Sequence, residues 1–195
     1  MKQSNLARLA RGTYGSGGEV LDKTIWDTAI LLAATVVHRL FTIPLGGGVP
    51  AKTLDRTNMT QGGQMPQGQN LAVRAIKIFY TTIGALATAD VQTLYTFLRT
   101  CTAEIILPGK DTMGEWTLME LMGTPLLAAE IPTAAGDNIP LISSRFHGIM
   151  PLNTPLVLAA LTPFEVRLTC HTPSGAALDG DFIGIGLTGT LQRAS

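Results

Sequence analysis

Alternation of apolar and polar residues is the clearest pattern in this chain, and it is strongest near the C-terminus. Between Phe164 and Cys170, every second residue is apolar, and the residues between them are Glu165, Arg167 and Thr169. A period of two predicts a strand that buries one face. Residues 182–192 alternate similarly, with isoleucine and leucine on one side and glycine, threonine and glutamine on the other. We expect another backbone to approach this glycine face closely.

Other segments have the composition of strands and lie between clusters of Gly, Pro, Asn and Thr. They are residues 36–43, 71–81, 102–107, 115–122, 141–149 and 155–161. The apolar run within residues 25–37 fits a buried helix or a buried strand equally well, and we favour a strand from Ala33 onward. Its apolar core, AILLAATVV, is too short for a membrane-spanning helix, which needs about 20 residues.

One segment alone predicts a helix. Thr88 is a candidate N-cap, and Val91, Leu94, Tyr95 and Leu98 follow the i, i+3, i+4, i+7 spacing of a helix with one apolar face. We therefore expect a helix over about residues 88–98.

A long succession of strands with one inserted helix and no regular βα alternation excludes doubly wound and βα-barrel folds. The chain lacks the cysteine pair and tryptophan at immunoglobulin spacing, and it has long loops. We expect an all-β protein with a single eight-stranded jelly-roll β-sandwich, and an immunoglobulin-like sandwich is the less favoured alternative. The expected domains are a flexible basic N-terminal arm at residues 1–19 and the jelly roll at residues 20–195.

The predicted strand at residues 71–81 carries two cations, Arg74 and Lys77, on opposite faces if its alternation is unbroken. Apolar residues occur on both of these faces. Either a bulge switches the phase of the strand here, or other elements cover both of its sides.

Residues 44–70 form an unusually long connection, PLGGGVPAKTLDRTNMTQGGQMPQGQN. Connections in compact domains have a median of about 4–6 residues. The loop is either a flexible surface loop or a segment that packs on a partner chain. In such a contact, amides form hydrogen bonds without the desolvation cost of a charge. Its candidate partner-contact residues are Asn58, Gln61, Gln64, Gln67 and Gln69.

The N-terminal segment MKQSNLARLARGTYGSGG is polar and glycine-rich where a signal peptide would be apolar. Its cations Lys2, Arg8 and Arg11 are candidate partner contacts. The segment is either a mobile tail or an arm that orders on a neighbouring subunit, an anionic membrane surface or nucleic acid.

Charge limits the function classes. Charged residues make up 14% of the chain, against roughly 25% in an ordinary soluble domain, so we expect much of the surface to meet other protein. Lys plus Arg and Asp plus Glu both number 14, which leaves no overall positive field to hold nucleic acid by its phosphates. The two cysteines form no CxxC pattern, and we expect them to be reduced after synthesis in a cytosol.

No constellation for catalysis or metal binding is present in the sequence. His38, His147 and His171 are scattered and lack metal-ligand spacing. Cys170 and His171 are adjacent, but neighbouring strand residues point to opposite faces, so Cys170 is expected in the core. Asp179 and Asp181 flank Gly180 and indicate a turn. We therefore expect no enzymatic activity, no cofactor, no metal, no small-molecule substrate and no sequence-specific nucleic acid.

Two blocks at the ends of the chain carry a family resemblance. "RLFTIPLGGG" followed by "KTLDRTNMTQGGQMPQGQNLAVRAIKIFY", together with "PFEVRLTCHTPSGAALDGDFIGIGLTGTLQR", resembles the jelly-roll capsid proteins of tailless, membrane-containing icosahedral bacteriophages. The resemblance covers about half the chain. Many members of that family stack two jelly rolls, whereas 195 residues hold one, which implies the single-jelly-roll type.

The resemblance implies a virion structural protein that self-assembles, or joins other capsid proteins, in an icosahedral lattice. Its basic arm would then face an internal lipid membrane. In this interpretation the 44–70 loop and residues 123–141 reach across to neighbours. The alternative is a carbohydrate- or receptor-binding β-sandwich, lectin-like or part of a phage spike, which would need exposed aromatic side chains.

Overall fold

A computed structural model describes residues 19–81, 88–107, 112–121, 125–132, 138–144, 149–171 and 175–193. The predicted arm with Lys2, Arg8 and Arg11 lies outside the described residues. The structure is mainly β. Its strands are β1 (Glu19–Ile30), β2 (Val37–Leu40), β3 (Gln69–Thr81), β4 (Cys101–Ile106), β5 (Gly114–Thr117), β6 (Pro125–Pro132), β7 (Asn138–Ser144), β8 (Ile149–Leu158), β9 (Glu165–Cys170) and β10 (Phe182–Arg193). The helices are α1 (Thr88–Thr100), α2 (Leu118–Leu121) and a 3-10 turn at Ala176–Leu178.

Eight of these strands form two antiparallel four-stranded sheets. The order is β1-β10-β3-β8 in sheet 1 and β2-β9-β4-β5 in sheet 2, while β6 and β7 pair as a separate hairpin. Both sheets contribute to one buried cluster, for example Leu71 and Ile185 from sheet 1 and Val166 and Leu168 from sheet 2. Burial of this shared apolar surface is the main force that holds the sheets together.

The strongest sequence patterns are confirmed. In β9, the alternate residues Val166, Leu168 and Cys170 are buried, and Phe164 just before the strand is also buried. The helix begins at Thr88 as expected and extends two residues beyond the predicted end, with Phe97 and Leu98 in the core. The expected strands at 71–81, 102–107 and 182–192 correspond to β3, β4 and β10.

Several boundaries were predicted wrongly, and the reasons are local. The first strand is not at Ala33 onward but upstream, over Glu19–Ile30. The second is shorter than residues 36–43, because Phe41 has a left-handed backbone (φ 67°) that ends β2. Instead of strands at 141–149 and 155–161, the structure has β7, which ends at Ser144, and β8, which runs from Ile149 to Leu158. Residues 145–148 lie outside the described part.

The predicted strand at 115–122 stops at Thr117, where a capping box starts α2. The Glu120 amide donates to Thr117 Oγ1 at 3.1 Å, and the Thr117 amide donates to Glu120 Oε2 at 2.7 Å. These reciprocal bonds satisfy two amides that a helix start leaves free. The sequence Thr-Leu-Met-Glu therefore favours a turn of helix over continued strand.

A bulge at Arg74 resolves the phase of β3. Thr188 pairs with Ala75 while Gly189 pairs with Val73, so Arg74 is the extra residue, and the pairing with β8 shifts at the same place. Val73 is buried, Arg74 is exposed, and burial resumes at Ile76. Of the two alternatives left open by the sequence, the bulge is the one that the structure contains.

Glycines make this strand pairing possible. A Cβ built on Gly189 would lie 1.9 Å from the Ala72 carbonyl oxygen, so the backbones approach closely here. Gly189 shares the face of Ile185 and Leu187, however, and is not on the face where the sequence predicts this approach. At Gly184 the neighbour is instead a side chain, because the Phe79 ring lies over it. The Phe79 ring thus occupies the space that a side chain at Gly184 would need.

The two cysteines are joined, contrary to the expectation of reduced thiols. Cys101 and Cys170 are directly opposite in the β4–β9 ladder, with their Cα atoms 4.2 Å apart, and they form a disulfide. Both are buried, which confirms Cys170 as a core residue. Their separation of 69 residues closes a large loop, and chain-entropy estimates for loops of this size give about 4 kcal/mol of stabilisation.

The Gly189→Ala variant should test the bulge. Its methyl group has no space against the Ala72 carbonyl, so we expect the free energy of unfolding to fall by about 1–3 kcal/mol or more. Gly186→Ala is the matched control in the same strand, since its nearest neighbours would lie 3.3–3.4 Å away. Denaturant titration of both variants measures the difference, and equal losses would contradict the bulge geometry.

Candidate functional site

The long loop between β2 and β3, residues 41–68, lies along the outer edge of β1. This strand is at one edge of sheet 1 and would leave backbone groups without partners there. The Asn58 side chain pairs with two of these backbone groups. Its Oδ1 accepts a hydrogen bond from the Trp26 amide, and its Nδ2 donates one to the Thr24 carbonyl, both at 2.8 Å. The Thr57 hydroxyl also donates to the Trp26 carbonyl at 3.1 Å.

A buried ion pair fixes the same loop to β1. Lys52 Nζ donates to Asp27 Oδ1 at 2.6 Å and to the Thr28 carbonyl at 2.8 Å, and the Phe41 amide donates to the other Asp27 oxygen. Asp27 is fully buried. Burial raises the pKa of Asp27, while the bonds from Lys52 and Phe41 oppose that increase. Removing one member of such a pair leaves a buried charge without a partner, which is strongly destabilising.

The structure places the predicted amide contacts in different settings. Asn58 is half-buried and engaged with β1, whereas Gln67 is exposed. Gln64 Nε2 donates to Gln61 Oε1 at 3.3 Å. Gln69 begins β3, and its Oε1 is buried with no partner among the described residues. Contact of these residues with a partner chain stays a prediction, but the Asn58 amide already has an internal role.

Apolar residues, not amides, dominate the outward side of this region. Among the described residues, thirteen large hydrophobic side chains are exposed, and seven of them lie between residues 32 and 54. We call these seven the apolar patch. They are Leu32, Val36, Val37, Ile43, Leu45, Val49 and Leu54. Val49 is fully exposed. Concentration of exposed apolar residues in one region is typical of an interaction surface.

Part of the apolar patch surrounds a cleft of about 320 Å³. Its walls come from the end of β1, the turn after it, β2 and the loop, with Leu32, Val37, Ile43 and Val49 among the lining residues. Cations are the charged groups that line it, namely Arg39, Lys52 and Arg56. The signal in the sequence is a stretch, residues 28–54, that contains no acidic residue.

The three cations of the cleft have different partners. Lys52 is paired with buried Asp27. Arg39 lies 3.6 Å from Glu165 Oε2 and its side chain is 61% exposed. The Arg56 guanidinium lies over the Phe182 ring, 4.3 Å from its centroid, in a cation–π contact. The cleft thus combines apolar walls with two arginines near solvent.

His38 is the one histidine that lines this cleft, and it is buried. Its Nε2 has no hydrogen-bond partner among the described residues. Burial lowers the pKa of His38, although hydrogen bonds to the backbone of Thr35 and Ile30 oppose this. His171 is exposed and lies apart from the cleft lining.

Comparison with known proteins identifies no relative. No protein-family model matches the chain, and no curated protein matches it. Within the described ranges, His, Cys, Asp and Glu side chains nowhere gather in threes as a metal ion would require. In the same part of the chain, every helix is too short or too polar to cross a lipid bilayer.

The Asn58→Ala variant should show that this amide caps the β1 edge. It leaves the Trp26 amide and the Thr24 carbonyl without their side-chain partner, so we expect a loss of about 1–3 kcal/mol in the free energy of unfolding. Hydrogen exchange at the Trp26 amide should also accelerate. Gln67→Ala, at an exposed position of the same loop, should change stability by less than about 0.5 kcal/mol. Equal behaviour of the two variants would refute the cap.

The pH dependence of stability should depend on His38. Because its pKa in the folded state is below the ordinary 6.5, the unfolded chain binds more protons, and stability falls as the pH drops from about 7 to about 5. His38→Gln should reduce this fall, and His171→Gln is the control at an exposed histidine. Chemical denaturation at several pH values measures the slope, and an unchanged slope in His38→Gln would contradict the assignment.

Proposed function

We propose that this protein is a jelly-roll capsid subunit of a tailless, membrane-containing icosahedral bacteriophage. Strand pairing supports the jelly-roll part. Numbered without the separate hairpin, the eight sheet strands pair first with last, second with seventh, third with sixth and fourth with fifth, as β1–β10, β2–β9, β3–β8 and β4–β5. A single long antiparallel ribbon has this pairing. Rolling the ribbon adds β3–β10 and β4–β9 and gives a β-sandwich.

The apolar patch is the observation that carries the self-assembly part. Four of its residues, Leu32, Val37, Ile43 and Val49, line one cleft. Exposed apolar surface is typical of interaction sites, and the cores of protein interfaces are depleted in charge. Here seven exposed apolar residues lie between residues 32 and 54, and charged residues make up 14% of the whole chain. Both features favour a subunit whose surface is covered by its neighbours in a shell.

The resembling blocks support the same proposal. They include β3, β9 and β10, which occupy inner positions in the two sheets. The carbohydrate-binding alternative receives no specific support, because the described aromatic side chains are buried or half-buried. In the proposed virion the basic segment 1–19 faces the internal membrane.

Self-association of the purified chain tests this function. Sedimentation velocity over a wide concentration range should show oligomers or large assemblies, since many weak contacts add in a symmetric array. The double variant Val49→Lys, Leu54→Lys places charges in the apolar patch and should shift the distribution towards monomer. Val157→Lys, at an exposed apolar residue of β8, is the matched control and should still assemble. A wild-type chain that stays monomeric at every concentration would refute the proposal.

A further inference from the structure

The long loop covers only part of the outer edge of β1. Pairing of β1 with β10 is continuous in register, so the backbone groups of every second β1 residue point away from β10. The Trp26 amide and the Thr24 carbonyl bond to Asn58 of the loop, which identifies the even-numbered residues as the outward ones. Among the hydrogen bonds between the described residues of the loop and β1, the bond to Thr24 is the nearest to the start of the strand.

The stretch of β1 before Thr24 is open. We call residues 19–23, EVLDK, the open edge. Val20 and Asp22 have the outward backbone groups here, and on that side these groups have no hydrogen-bond partner among the described residues. Val20 and Leu21 are also 52% and 41% exposed. A free edge with exposed apolar side chains favours the addition of a further strand.

The charges of the open edge are complementary to a second copy of the same edge. Glu19 lies at one end and Lys23 at the other, so two antiparallel copies bring each glutamate opposite the lysine of the other copy. Within its own chain, Glu19 meets Arg193 at 3.5 Å, and both side chains are about half exposed, so the carboxylate stays accessible. Lys23 forms no ion pair within the described part of the chain. The fitting partner is therefore another copy of this strand.

We propose that two copies of the chain pair antiparallel through their open edges, about a twofold axis at Leu21. Val20 of each copy then exchanges backbone hydrogen bonds with Asp22 of the other. The two Leu21 side chains lie directly opposite each other and cover one another, and Glu19 of each copy faces Lys23 of the other. Sheet 1 of one copy thereby continues into sheet 1 of the second.

The neighbouring registers fit less well. Backbone groups that point outward must face each other, so the register shifts in steps that keep even residues opposite even residues. Placing Asp22 opposite Asp22 brings like charges together, which is destabilising, and it directs Val20 at Thr24, whose carbonyl is bonded to Asn58. Placing Val20 opposite Val20 moves Glu19 opposite Leu21 and loses both ion pairs. Charge thus selects the register with Leu21 at the axis.

This inference rests on the proposed function, because it requires that the chain self-associates. The open edge is a surface distinct from the apolar patch, which lies between residues 32 and 54. A twofold contact uses the same surface on both copies and is complete with two. Pairs formed through the open edge would therefore be the units that the apolar patch joins into a larger array.

Single cysteines in the full chain test the register. The two native cysteines are joined to each other, so each variant carries one free thiol. Leu21→Cys should form a disulfide-linked dimer under mild oxidation, because directly opposite residues of this kind have Cα atoms about 4.5 Å apart, within the range of a disulfide. Val20→Cys and Asp22→Cys are the matched controls, and both should crosslink at least tenfold more slowly because each faces a different residue.

Non-reducing gel electrophoresis measures the three rates. Faster crosslinking of Val20→Cys or Asp22→Cys than of Leu21→Cys would overturn the register, and three equally slow rates would overturn the contact. If the contact fails while sedimentation shows that the wild-type chain forms oligomers, this inference falls and the proposed function stands. A wild-type chain that is monomeric at every concentration would overturn the two together.

Charge exchange provides the second test. Glu19→Lys and Lys23→Glu should each weaken pairing about tenfold, because like charges then face each other twice across the axis. An equimolar mixture of the two variants should recover most of this loss, since every lysine then faces a glutamate. A loss that arises within one chain, such as that of the Glu19–Arg193 contact, would not be relieved by mixing.

Sedimentation velocity of each variant and of the mixture measures the pairing, and thermal unfolding checks that each variant folds. Arg74→Glu, at the exposed bulge residue of β3, is the control and should associate like wild type. A mixture that associates no better than its components, or single variants as strong as wild type, would overturn the proposed pairing. The crosslinking result does not depend on these charge variants.

Discussion

The attachment of the long loop to the outer edge of β1 is the constraint on which this structure depends. An edge strand exposes backbone donors and acceptors that either attract another chain or must be covered. Here Asn58 covers them with one side-chain amide, and the buried Asp27–Lys52 pair holds the loop in place. The same carboxylate binds the Phe41 amide, so it also fixes the left-handed residue at which β2 ends. One buried carboxylate of β1 thus contacts both the residue that follows β2 and a lysine of the loop.

This attachment decides which residues of the loop face outward. Three of its polar residues, Lys52, Thr57 and Asn58, are used inside the chain, while Val49 and Leu54 remain exposed. The cost of exposing apolar residues is recovered when another protein surface covers them. A loop built in this way suits a subunit of an assembly, and the cleft beside it is lined by three cations.

The sequence predicts the regular strands well and the loop contacts poorly. Alternation over 164–170 and 182–192 is a local property, so β9 and β10 could be recognised, and the irregular phase around Arg74 indicated the bulge as one of two options. Strand β1 could not be recognised in the same way. Its Asp27 is typical of a surface residue in the sequence, and its burial depends on the hydrogen bond from Lys52, 25 positions later. Likewise, Asn58 was predicted to face a partner chain, and only the three-dimensional path of the loop shows that its amide binds Thr24 and Trp26. The pairing of Cys101 with Cys170 depends on the register of β4 and β9, which no local pattern gives.

A cryo-EM map of particles purified from the natural source of this protein tests the central claim most directly. The account predicts that the apolar patch around Val49 and Leu54 lies beneath a neighbouring subunit, while Asn58 remains bound to the edge of β1 within its own chain. A particle in which these apolar residues face solvent, or a source in which the protein occurs as a free single chain, would contradict it.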